Sequence, residues 1–164
     1  MANTLAQTAL KFCVPGVPDT YQGCEAMDFS LVDPDNRRAV DYVARQAKLL
    51  DDEGADGRKI GLVHGLSALR NSAPALFAHG SYRPIPATGL RARHILAFER
   101  RHEGKRLVCA VALRLGLPIV ERSGMPDEPW WGDTRLEGED DLPPARMFAD
   151  RKSTRLNSSH TDIS

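Results

Sequence analysis

The segment "YQGCEAMDFSLVDPDNRR", from Tyr21 to Arg38, is dense in groups that can grip a polar ligand. Tyr21, Gln22, Glu25, Asp33, Asp35, Asn36, Arg37 and Arg38 supply a phenol, two amides, three carboxylates and two guanidinium forks within eighteen residues. A ring bearing several hydroxyls both donates and accepts hydrogen bonds. Carboxylates that only accept, guanidiniums that only donate and amides that do both are suited to it, with an aromatic face beneath. The same residues have a plainer use. "DPDN", Asp33 to Asn36, can be a turn whose side chains bond their own backbone, with Arg37 and Arg38 as ion-pair partners and Glu25 as a structural hydrogen-bonder. A calcium loop does not fit, because Asp33 and Asp35 lack the third ligand and the glycine of that motif. No metal is expected elsewhere. His64, His79, His94 and His102 have no ligand spacing and read as surface or packing residues, and Cys13, Cys24 and Cys109 read as reduced, buried thiols.

The elements that must position this loop follow from periodicity. Leu5, Ala9, Phe12 and Cys13 recur at helical spacing, and Pro15-Gly16 ends that helix. Residues before Pro15 and Pro18 are pushed out of the α region, so Val17 to Tyr21 is expected to run extended into the polar loop. Gly16, Pro18 and Gly23 are its structural residues, Gly23 permitting a sharp turn. A second helix is expected over about 40–50, with Val40, Val43, Ala44, Ala47 and Leu50 on one face and Asp41 near its N-terminus. "DDEGADG" is a solvated turn, a third helix covers roughly 58–71, and Ser72 is expected to cap a short turn with Pro74 at its start. Past Gly80 the pattern changes. "HILAFER" and "KRLVCAVAL", joined by "RHEG", read as a hairpin, and "TRLE" as a further strand. Trp130-Trp131 suits either a sugar-stacking platform or packing in a β-domain.

The composition, 164 residues with 41% hydrophobic content and 22 basic against 22 acidic residues, is that of a globular chain with one core of ordinary size. The balance of charge leaves no basic footprint for nucleic acid and no polybasic membrane patch. The longest apolar run, Leu107 to Leu113, is too short for a membrane span, and no signal-peptide order is present, so the chain is expected to be cytoplasmic.

"PGVPDTYQGCE" resembles the end of the eighth barrel strand in the α-amylase superfamily, glycoside hydrolase family 13, where a P-G-x-P-x-x-Y-x-G-x-E pattern is common. The continuation "DFSLVDPDNRRAVDY", then "LSALRNSAPALFAHGSYRPIPA", "HILAFER" and, more weakly, "WGDTRLE", resembles the maltooligosyl trehalose synthase family over most of residues 2–148. Departures from its pattern are Cys13 and Cys24 at Thr-like places, Ala39 where proline is typical, and "EAMDF" in place of a tryptophan-containing run. The resemblance implies an α/β fragment. Residues 1–80 would be the end of a (β/α)₈ barrel, its last strand and flanking helices, and 81–149 a small, truncated antiparallel β-domain. It also implies a parent of the isomerase class, a (1→4)-α-D-glucan 1-α-D-glucosylmutase. Such an enzyme forms a terminal α,α-1,1 link on a maltooligosaccharide by intramolecular transglycosylation, for trehalose biosynthesis, and needs no cofactor.

The eight polar loop residues named first would then bind substrate. The superfamily's catalytic carboxylates sit on loops after strands four, five and seven, upstream of this segment, and a barrel alone takes about 250 residues. The chain is therefore expected to lack an N-terminal part of its own protein and to be inactive by itself. Two other readings stay open: a fragment of another α-amylase-type hydrolase or phosphorylase, and a non-catalytic carbohydrate-binding module. Residues 150–164 stand apart, since Asp150 to His160 translates codons resembling a common sequencing-adapter strand. That tail is expected to be adapter-derived and unstructured.

Overall fold

Helix α1 (Ala2–Cys13) turns one face inward, burying Leu5, Ala6, Phe12 and Cys13. The structure, a computed structural model, describes residues 1–30, 32, 37–50, 54–116, 126 and 128–138. Asp33, Asp35, Asn36 and the expected adapter-derived tail, residues 150–164, lie outside that range. After α1 come α2 (Tyr42–Leu50), α3 (Ala55–Ser72) and α4 (Pro74–His79). The strands are β1 (Arg83–Ile85), β2 (Ala87–Thr88), β3 (Ile95–His102) and β4 (Lys105–Ala112), then a short helix α5 (Glu128–Trp131) and β5 (Arg135–Leu136). One antiparallel sheet has the order β1-β3-β4, and β2 pairs with β5 in a second.

The expected hairpin is β3–β4, in a register that sets Phe98 against Cys109 and His102 against Lys105. Its two connecting residues, Glu103 and Gly104, both have positive φ, 46° and 77°. That is the type I′ arrangement whose twist matches the flanking strands. Phe98, Cys109 and Val111 form one core cluster with Leu5 and Phe12 of α1 and Leu62 and Leu66 of α3. Helices and sheet thus share a single apolar layer that runs across the change of period near Gly80. Trp130 stands at the end of the second sheet, its ring edge-on to His94 (5.1 Å) and to Trp131 (4.9 Å) and covered by the Arg91 guanidinium (4.7 Å).

Three expectations need correction. The segment after α1 is extended at Val14, yet among the described residues no strand precedes β1, because no neighbouring strand is there to complete a ladder. Ala73, not Ser72, stands at the start of α4, and the Ser72 hydroxyl instead donates to the Leu69 carbonyl (2.9 Å). Helix α2 forms, but none of its residues is buried: Val43 and Leu50 point to solvent, and the side turned to α3 carries Lys48. No helix among the described residues is long and apolar enough to cross a membrane.

Candidate functional site

The polar loop is held at its entrance by Arg70 of α3. Its guanidinium donates to the carbonyls of Phe12 (2.7 Å) and Gly16 (2.9 Å), supplying donors to the end of α1, where helical carbonyls lose their partners. The backbone then coils through two successive turns, with Cys24 N–H donating to Tyr21 (3.1 Å) and Ala26 N–H to Gly23 (3.4 Å). Gly23 has φ +87°, and a Cβ there would stand 3.2 Å from the Val40 side chain. Only glycine meets both demands without strain.

The first turns of α3 grip the next residues. Lys59 Nζ donates to the carbonyl of Ala26 (2.6 Å), and Met27 N–H donates to Asp56 Oδ1 (2.8 Å). The other Asp56 oxygen accepts from the Lys48 ammonium of α2. Hydrogen bonds from Lys48 and Met27 hold the Asp56 carboxyl below its ordinary range, burial opposing them. Burial lowers the Lys59 ammonium, with nearby acidic groups opposing. Asp28 is lowered by bonds from the Ser30 hydroxyl and amide, and Ser30 N–H lies 2.9 Å from its Oδ1. Asp41 caps α2 by accepting from Ala44 N–H (2.9 Å), and Glu25 pairs with Arg45 (3.7 Å).

Between the loop and α2 lies an open cleft of about 390 Å³, within the range of small-molecule sites. Asp28, Asp41 and Asp56 line it together with Arg38, Arg45 and Lys48, three charges of each sign. Among the described lining residues, donors and acceptors of both signs are balanced, a mixture that suits a hydroxyl-rich ligand. A general acid needs a carboxyl raised toward neutrality, and Asp28 and Asp56 are shifted the opposite way. They stay anionic and can accept hydrogen bonds. Among the described residues no group of three or more His, Cys, Asp or Glu is placed to hold a metal.

Of the residues singled out from sequence, Gln22, Gly23 and Arg38 line the cleft. Tyr21 is half-exposed, Pro18 half-buried, Arg37 exposed, and Glu25 is tied to α2 through Arg45. Asp33, Asp35 and Asn36 fall outside the described residues. Sequence reasoning missed Asp28, Asp41, Arg45, Lys48 and Asp56 as cleft residues. Arg45 and Lys48 sit three apart on one helix, a visible signal. Asp56 belongs to a turn read as solvated, and only its tertiary contact with Met27 reveals it.

Solved structures fix the class of fold. The chain is 37% identical to a mutant of maltooligosyltrehalose synthase from Arthrobacter ramosus, with a TM-score of 0.62, covering 82% of this chain and 17% of that one. A second structure, a maltooligosyl trehalose synthase at 24% identity, shares the fold with a TM-score of 0.50 over 66% of this chain and 20% of its own. No protein-family model matches. Two curated proteins from strains of Mycobacterium tuberculosis, each named "Putative maltooligosyl trehalose synthase", are 36% identical over 152 residues, 91% of this chain. The chain is thus a homologue of maltooligosyl trehalose synthases along most of its length, and it spans about a fifth, 20%, of the curated relatives it matches.

Proposed function

We propose that the chain is the part of a maltooligosyl trehalose synthase that passes from the end of the catalytic barrel into the C-terminal β-domain. Residues 1–80 are the barrel's end and 81–149 the domain. The observation that carries this reading is 36% identity along 91% of the chain. The parent is an intramolecular glucosyltransferase of the glycoside hydrolase 13 type that converts the reducing end of a maltooligosaccharide to an α,α-1,1 link. Its catalytic carboxylates come from the rest of the parent, so the chain alone is inactive. Rearrangement within one bound molecule requires the released glucose to stay in place while its anomeric hydroxyl swings round, with water kept out. We assign that grip to the polar loop, to Gln22 and Arg38 in the cleft together with Asp33, Asp35, Asn36 and Arg37, with Tyr21 and Glu25 contributing to substrate binding. The mixture of donors and acceptors among the described lining residues supports a sugar as the ligand.

The test is a chimera in which residues 1–149 replace the matching segment of the Arthrobacter ramosus enzyme. A folded chimera should convert maltopentaose to the trehalose-ended product, and a folded chimera that forms none overturns the assignment. Within it, Asp35→Ala and Arg37→Ala should lower catalytic efficiency about ten- to hundredfold, the loss of one charge-assisted hydrogen bond of roughly 1.5–3 kcal/mol. They should also raise free glucose relative to trehalose-ended product. An unchanged product ratio with a lowered melting temperature would assign the loop to structure instead.

A further inference from the structure

Asp56 and Lys59 stand three apart in the first turns of α3, on one side of the helix. Lys59 Nζ donates to the Ala26 carbonyl (2.6 Å), and Asp56 Oδ1 accepts from the Met27 N–H (2.8 Å). Those two backbone groups are the ends of a single peptide unit, which is planar and rigid. A cation on its oxygen and an anion on its hydrogen therefore fix the rotation of the whole plane. The flipped plane would aim the carbonyl at the carboxylate and the N–H at the ammonium, so the charges admit one orientation. Ala26 is 0% exposed, and a carbonyl deprived of Lys59 there would be left buried and unpaired.

The clamped peptide lies between two groups of cleft residues. Gln22 and Gly23 precede it, in turns closed by the Cys24 and Ala26 N–H groups, and Met27 and Asp28 follow it. Lys59 is not itself part of the cleft lining, so it acts on a ligand there only through the backbone it holds. Asp56 does line the cleft, and its second oxygen accepts from Lys48. Lys59 is thus the member of the clamp at which positioning separates cleanly from contact. Its role is invisible in the sequence, since 33 residues lie between it and Ala26 along the chain.

We propose that Lys59 is a positioning residue for substrate: with Asp56 it locks the Ala26–Met27 peptide and so sets Gln22 and Asp28 at the spacing that holds the released glucose, a role that presupposes the sugar-binding reading of the polar loop. Without the ammonium the peptide is free to rotate, and Met27 and Asp28 shift against Gln22. The glucose unit is then held less firmly while the glycosyl carbon waits, and water competes for that carbon more often.

The experiment places two variants in the chimera with the Arthrobacter ramosus enzyme: Lys59→Met, which keeps the stem and removes the donors, and Lys59→Arg, which keeps donors. Both are assayed with maltopentaose well below their melting midpoints, so that folded protein is compared with folded protein. Lys59→Met should lower catalytic efficiency about tenfold and raise free glucose relative to trehalose-ended product. Lys59→Arg should keep most of the wild-type efficiency and product ratio. Wild-type constants and product ratio in folded Lys59→Met, with only a lowered melting midpoint, overturn the proposal, and so do equal losses in the two variants. A wild-type chimera that folds and forms no trehalose-ended product overturns the sugar-binding reading itself, and the role of Lys59 falls with it. In the 164-residue chain, Lys59→Met should also quicken amide exchange at Met27, and unchanged exchange there removes the clamp whatever the chimera shows.

Discussion

Glu99 is 3% exposed and carries a full charge on the sheet face opposite Phe98. Arg83 and Arg101 donate to its Oε1 (2.7 and 3.0 Å) and Arg106 to its Oε2 (2.9 Å). Those bonds hold its carboxyl well below the usual range, burial opposing. A lowered folded pKa means that the stability Glu99 contributes is complete above the unfolded value, near 4.3, and is lost as pH falls through the folded one. Glu99→Gln should therefore destabilise the chain by about 1.5–3 kcal/mol at neutral pH, toward the lower end because Arg83 and Arg101 are more than half exposed. Thermal unfolding at pH 7 measures this, and an unchanged midpoint would show the cluster to be energetically idle. The cluster was not legible in "HILAFER", since it arises only when register sets Arg83 opposite Glu99 and Arg106 opposite Arg101.

Helices were read from periodicity to within a few residues, because the apolar stripes of α1 and α3 report the one core they share. What joins the loop to those helices was hidden, since Asp56 acts across 29 residues of sequence. Asp56→Ala removes both the acceptor of Met27 N–H and the partner of Lys48, while Asp56→Asn keeps an acceptor and loses only the charge. The alanine variant should lose about 1 kcal/mol, a partly exposed pair being discounted, and Met27 should exchange its amide proton faster. The asparagine variant should keep most of that protection. The Asp56 pKa is lowered on folding, so in the parent chain the protection should hold above about pH 3.9 and fade as pH falls through the lower folded value. Equal exchange in both variants at neutral pH would show that the loop is held by something other than Asp56.

At the scale of the molecule, apolar surface is left uncovered around the candidate site. Val17 is 92% exposed, Leu50 86%, Val43 80% and Phe29 79%, although α2 carries the apolar spacing of a packed helix. Periodicity shows that a helix has an apolar face but not whether its partner lies in the same chain, which is why α2 was legible as a helix and not as an uncovered one. The chain spans about a fifth, 20%, of the curated relatives it matches, so in the proposed parent that face is open to cover by the rest of the enzyme. Alone, and with a formal net charge of zero, the chain has little repulsion to oppose association through these side chains. It should bind an apolar-surface dye and elute with a concentration-dependent size. The combined substitution Phe29→Ser, Val43→Ser and Leu50→Ser should reduce both signals while moving the stability of the monomer by no more than about 0.5 kcal/mol, since exposed side chains lose no burial when shortened. A dye signal unaffected by the three serines would place the sticky surface elsewhere, and a large loss of stability would mean that these three side chains pack against their own chain in solution.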